Sequence, residues 1–140
     1  MNINPYVRKA NYYETDQMGI IHHANYIHWM EEARVDFMEQ LRFGYDRAVK
    51  EGIDFALLGL SCDYKSMVRF GDTVNIKVSI SSITVTKMTV SYEITDAATG
   101  KLRTTGESSH CYFDSVRKRP VSLKKALPEL YDLFVSLCEN

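Results

Sequence analysis

Asp16, Gly19, His22, His23 and Asn25 crowd one stretch, "TDQMGIIHHANY" from Thr15 to Tyr26. Side chains of these types can build a metal centre, an acid–base or nucleophilic loop, or only a polar way into a helix. Metal binding has the weakest pattern. Neither His22 nor His23 stands four residues from His28, no HExxH occurs, and adjacent histidines on an extended loop point to opposite sides. A serine elbow of the GxSxG kind is missing, and so are glycine-rich phosphate loops. Cys62 and Cys111 fall in predicted strands, where they read as packed thiols. Asp16 is left. Alone it reads as an Asx-turn carboxylate leading into Gly19. Its setting suggests more, because the loop delivers it to the amino end of a helix, where open N–H groups and the helix dipole favour negative charge. The same N–H groups can hold a carbonyl oxygen as it becomes an oxyanion. A carboxylate facing a polarised carbonyl suits hydrolysis or acyl transfer. A thioester is the substrate least in need of a proton donor, since a thiol of pKa about 8.5 leaves readily as thiolate.

The element that must position this loop is the run that follows it. Tyr26, Met30, Ala33, Phe37 and Leu41 recur at helical spacing, with Glu31, Glu32, Glu39 and Arg42 mainly on the other side. Near the start, Tyr26, Ile27, Trp29 and Met30 make the helix apolar almost all round. Asn25 is the expected cap, Gly44 the expected left-handed residue past the end, and "YDRAVKEG" a source of further helical turns. Ahead of the loop, Tyr6 to Tyr13 reads as a strand. From Phe55 onward the period is two: Val74, Ile76, Val78 and Ile80, then Met88, Val90, Tyr92 and Ile94, alternate with polar residues. "FGDT" and "DAATGK" are turns, a strand runs through "LSCDYKSM", another from Leu102 to Phe113, and a last helix begins at Pro128. Short links make the sheet mainly antiparallel. The expectation is a single α+β domain over residues 1–140, a curved antiparallel sheet wrapped around one long central helix.

Bulk properties narrow the partners. With 17 basic and 18 acidic residues the net charge is −1, which argues against a general nucleic-acid surface. "VRKRP" at 116–120 is the one local basic run. Three scattered cysteines do not suggest a disulfide framework. The amino terminus has no signal-like apolar core, and "FALLGL" at 55–60 is too short to span a bilayer. A cytoplasmic protein without a membrane span is expected.

The pattern Tyr12-x-Glu14-Thr15-Asp16-x-x-Gly19-Ile20-Ile21-x-His23-x-Asn25-Tyr26 resembles the 4-hydroxybenzoyl-CoA thioesterase-like branch of the hotdog-fold acyl-CoA thioesterases, above all the bacterial enzymes associated with the Tol–Pal gene cluster. The likeness continues through the long helix, "VRFGD", the hairpins and "GESSHCYFD". It implies a hotdog fold, a homodimer with the two sheets joined edge to edge or a homotetramer of such dimers, and hydrolysis of a small acyl-CoA, short-chain or aromatic, or of an acyl carrier protein thioester. It implies neither metal nor other cofactor. The family's catalytic carboxylate falls on Asp16, its motif histidine on His23, whose backbone N–H polarises the thioester carbonyl, and its accompanying tyrosine on Tyr12. Gly19, Asn25 and Tyr26 fall where substrate is met. Family members carry Tyr or Trp where this chain has His22. Lys65, Arg69 and the "RKR" run are either contacts for nucleotide phosphates or a solvated charged face, and His110 reads as a satisfied buried histidine. Two other readings stay open: a hydratase or dehydratase using a His with Glu31 or Glu32, and a non-catalytic acyl-CoA-binding or scaffold protein.

Overall fold

A computed structural model describes residues 2–42 and 48–138. The elements are β1 (Tyr6–Lys9), α1 (His23–Gln40), β2 (Ile53–Tyr64), β3 (Thr73–Ile83), β4 (Lys87–Asp96), β5 (Leu102–Asp114), β6 (Arg119–Pro120), α2 (Leu123–Ala126) and α3 (Pro128–Leu137). The strands form one sheet in the order β1-β3-β4-β5-β2, with β6 on β5. This is the expected α+β class. By its internal contacts the chain divides into two compact units, Met1–Phe37 with Cys62–Val78 and Tyr92–Gly106, and Met38–Ser61 with Ser79–Ser91 and Glu107–Asn140.

In the first unit β1 pairs antiparallel with β3, Tyr6 opposite Ile76 and Lys9 opposite Thr73. Alternation does what the sequence requires of it: Val74, Ile76, Tyr92 and Ile94 are buried. So are Tyr26, Trp29, Met30, Ala33 and Phe37 of α1, the apolar stripe that drives the helix against its neighbours. The apolar start of the helix is not buried all round, however: Ile27 is 39% exposed. The first strand is also shorter than its sequence suggests. It stops at Lys9, and Tyr12–Glu14 turn in a 3-10 coil. The reason is local: the Glu14 carboxylate accepts the Asn11 N–H at 2.9 Å, and the Glu14 N–H donates to the Asn11 carbonyl at 3.0 Å. Asn11-x-x-Glu14 is a helix-start signature that interrupts the extended run.

In the second unit α1 closes at Arg42, which takes a left-handed φ of 60° and donates its N–H to the Glu39 carbonyl. The expected Gly44 cap lies outside the described residues, as do the first residues of "YDRAVKEG"; residues 48–50 are helical. Thr84 closes the β3–β4 turn, its N–H reaching the Lys87 carbonyl at 2.7 Å and its hydroxyl accepting the Thr86 and Lys87 N–H groups. Phe55 meets the Tyr112 and Phe134 rings, each centroid 6.1 Å away, and Leu123, Leu130 and Phe134 bury the carboxy-terminal helices. The last helix begins at Pro128 as predicted, while the short α2, capped by the Ser122 hydroxyl, was not foreseen. His110 is wholly buried, with its Nε2 2.7 Å from the Ser108 hydroxyl.

Candidate active site

The loop from Thr15 to His22 is built outward from one buried acid. Glu14 is only 3% exposed. Its carboxylate takes both terminal nitrogens of Arg8 at 3.0 Å, the Trp29 indole N–H at 2.8 Å and the Asn11 N–H. Its backbone carbonyl takes the His22 N–H and the Asn25 side-chain amide, each at 2.9 Å. A buried carboxylate needs this many donors to stay folded inside. Arg8 is shared: its Nε reaches Glu32 at 2.8 Å, its guanidinium lies 5.5 Å from the centre of the Trp29 ring, and the hydrogen bond to Glu32 first, then the charges of both acids, raise its affinity for its proton. Glu32 also accepts from the Tyr6 hydroxyl at 2.9 Å.

From this anchor the loop closes on itself. The Asp16 N–H donates to the Ile20 carbonyl at 2.9 Å, the Gly19 N–H to the Asp16 carbonyl at 3.1 Å, and the Met18 N–H to the Asp16 carboxylate at 2.8 Å. Gly19 supplies the left-handed φ of 75° that the turn needs. The Ile21 N–H then binds the Val68 carbonyl at 2.8 Å, which fixes the loop on the segment after β2. Arg103 holds that segment in turn, donating to the Met67 carbonyl at 3.0 Å and to Asp96 at 2.9 Å.

Where loop, α1 and the end of β2 meet there is a cavity of about 360 Å³, lined by Asp16, Ile20, Ile21, His23, Tyr26, Tyr64, Lys65, Ser66 and Met67. Of the residues expected for catalysis and substrate binding, Asp16, His23 and Tyr26 come together here, beside Lys65. Tyr12, Gly19 and Asn25 do not line it. Tyr12 is 75% exposed, with its ring edge-on to Phe70 at 5.7 Å. Gly19 shapes the turn, and Asn25, expected as the helix cap, is already inside α1 and ties its amide to Glu14. The cap is His22, whose Nδ1 accepts the Ala24 N–H at 3.2 Å. The expectation that His22 and His23 point apart is also corrected: His23 has begun the helix, and the two rings stack with centroids 4.1 Å apart.

The helix start offers an open donor. The N–H groups of His22, Ala24 and Asn25 go to the Glu14 carbonyl, the His22 ring and the His22 carbonyl, which leaves the His23 N–H without an acceptor among the described residues. A helix-terminal N–H of this kind can accept the developing charge of a carbonyl oxygen. Tyr64, which sequence reasoning missed, donates its hydroxyl to the His23 carbonyl at 3.2 Å; lost hydration and the neighbouring Cys62 push it up to about 12, so it stays a protonated phenol. Tyr26, pushed up by burial, accepts the Val68 N–H at 3.4 Å. Nothing in the pattern of "LSCDY" marks Tyr64. Glu14 could have been found, from its place three residues after Asn11.

The sequence profile of the thioesterase-like superfamily matches residues 11–130. The chain belongs to that superfamily. A putative acyl-CoA thioesterase of Bacillus subtilis, YneP, is 31% identical over 134 residues, 96% of each chain. The acyl-CoA thioester hydrolase YbgC of Escherichia coli is 26% identical over 119 residues, 85% of this chain and 88% of its own. Among solved structures, a DHNA-CoA thioesterase from Staphylococcus aureus superposes with a TM-score of 0.89 at 28% identity, covering 95% of this chain and 89% of that one. The sheet and its long helix are thus the hotdog fold that the motif led us to expect.

Proposed function

We propose that this thioester hydrolase acts on a small acyl-CoA, short-chain or aromatic, and that the cavity at the start of α1 is where it does so. The reading is carried by Asp16 and His23 lining one cavity, the first with its carboxylate on the loop and the second with an open N–H. The thioester carbonyl oxygen accepts the His23 N–H. Asp16 acts as general base, taking a proton from the water that attacks the carbonyl carbon, or as nucleophile, forming an anhydride that water then opens. In either course the tetrahedral intermediate collapses with expulsion of the CoA thiolate, which takes up its proton from solvent. Tyr26 and Tyr64 provide an apolar wall with polar tips, suited to a flat or short acyl group. The similarity to an enzyme described as acting on DHNA-CoA supports the aromatic alternative.

The test is thiol release from a panel of short-chain, long-chain and aromatic acyl-CoA esters, with Asp16→Ala and Asp16→Asn measured alongside. Both variants should lose at least about a hundredfold in kcat/KM, the loss expected for a removed base or nucleophile. Asp16→Asn keeps an oxygen for the Met18 N–H, so it separates the turn from the charge. If the asparagine variant turns over at the wild-type rate, Asp16 serves the loop and not the reaction.

A further inference from the structure

Lys65, Ser66 and Met67 line the cavity at the start of α1, yet β2 has already ended at Tyr64. A wall outside any strand needs other ties, and Arg103 supplies them from both its main chain and its side chain. Its carbonyl accepts the Lys65 and Ser66 N–H groups at 2.9 and 3.0 Å. One terminal nitrogen of its guanidinium donates to the Met67 carbonyl at 3.0 Å and to the Ser66 hydroxyl at 3.4 Å. That hydroxyl in turn donates to the Leu102 carbonyl at 2.8 Å. The other terminal nitrogen sits on the buried Asp96 carboxylate at 2.9 Å, with Asp72 4.0 Å away. Arg103 itself does not line the cavity.

The two grips act at different points. The main-chain bonds fix Lys65 and Ser66 and do not depend on which side chain stands at 103. The guanidinium reaches one residue further, to Met67. Next in the chain is Val68, whose carbonyl accepts the Ile21 N–H, so Met67 links the braced wall to the loop that carries Asp16. Met67 is 54% exposed and its side chain is of a flexible type, so its place in the wall is set by its backbone more than by packing. A planar guanidinium held by a carboxylate on one fork is pre-organised for the carbonyl on the other.

We propose that Arg103 is a positioning residue for substrate selection: by fixing Met67 it sets the size of acyl group that the cavity accepts. The inference rests on the reading of this cavity as the place of hydrolysis. A pocket selects as much by the space it refuses as by the contacts it makes. A wall tied at Met67 refuses a long acyl chain, and a wall released there yields to it.

The test is steady-state kinetics on a short-chain and a long-chain acyl-CoA. Arg103→Met keeps the main-chain bonds and removes the donors. It should lower the short-over-long ratio of kcat/KM by about fivefold or more, the scale on which pocket contacts discriminate. The change should lie in KM, with kcat for the short ester within about twofold of the wild type, since no reacting group is touched. Arg103→Lys, which keeps a charge without the fork, should recover part of the ratio; if Arg103→Met does not fold, the lysine variant carries the comparison with a smaller shift in the same direction. Asp96→Asn leaves an oxygen for the guanidinium, so it should cost stability and spare the ratio. An unchanged ratio at position 103, or an equal shift in Asp96→Asn, overturns the proposal. Asp16→Asn separates it from the reading beneath: an inactive asparagine variant beside an unchanged ratio removes the role of Arg103 alone, whereas full activity of that variant removes the cavity as the site and this inference with it.

Discussion

His23 and Tyr64 both line the cavity, and the Tyr64 hydroxyl donates to the His23 carbonyl, which makes Tyr64 the residue most directly coupled to the proposed carbonyl-binding N–H. The phenol touches the peptide behind the donor, so its removal should disturb alignment without removing the chemistry. Tyr64→Phe gives up one hydrogen bond worth about 1 kcal/mol. That corresponds to a fall in kcat of about fivefold. Steady-state kinetics on the best substrate would check it, and a loss of about a hundredfold or more would instead make the hydroxyl a direct participant. At this scale the sequence singled out Asp16, His23 and Tyr26, through the loop pattern and the family it resembles, and the three do line one cavity. It was silent on Tyr64, whose importance comes only from where a distant strand ends.

The elements were easier to read than the joints between them. Apolar spacing revealed α1 and the alternation revealed β3 and β4, because one buried stripe or face is enough to select a period. The beginning of α1 was misread, with Asn25 taken for the cap. The error has a physical source: a helix start is decided by whichever acceptor reaches the open N–H groups, and here Glu14 and His22 do so from outside the periodic run. Glu14 should therefore matter to stability more than any residue of the loop it supports. Glu14→Ala takes the acceptor from the buried Trp29 N–H and leaves Arg8 with Glu32 as its one acidic partner, a loss of about 3 kcal/mol by the usual cost of breaking such a pair. Glu14→Gln, which keeps neutral acceptors, should cost less than half as much. Urea denaturation of the two variants against the wild type would measure both, and a Gln variant as stable as the wild type would mean that the charge of Glu14 contributes nothing.

For the whole molecule, the near-balance of charges says little about fold, and acid sensitivity must come from particular carboxylates. Asp96 is one. Its hydrogen bond to Arg103, followed by those from the Thr99 and Ala98 N–H groups, holds it at about 2. A free aspartate titrates near 3.9. The folded value is the lower, so the stabilisation is complete above about pH 4 and is lost as pH falls through the interval down to about 2. Asp96→Asn should flatten the acid limb of a stability–pH curve in that window and leave the neutral region parallel; an acid limb of unchanged slope would refute the assignment. The cavity was hidden from the sequence, because Ser66 and Met67 join Asp16 only where Arg103 ties their segment to β5. The loop that carries Asp16 has a last consequence. Its three internal bonds close it without help from a ligand, and its base is clamped by Glu14. Freezing a flexible backbone costs about 1–2 kcal/mol per residue in entropy at ordinary temperature. For Asp16 to Ile20 that loss is incurred once, when the chain folds, and it does not recur at every turnover.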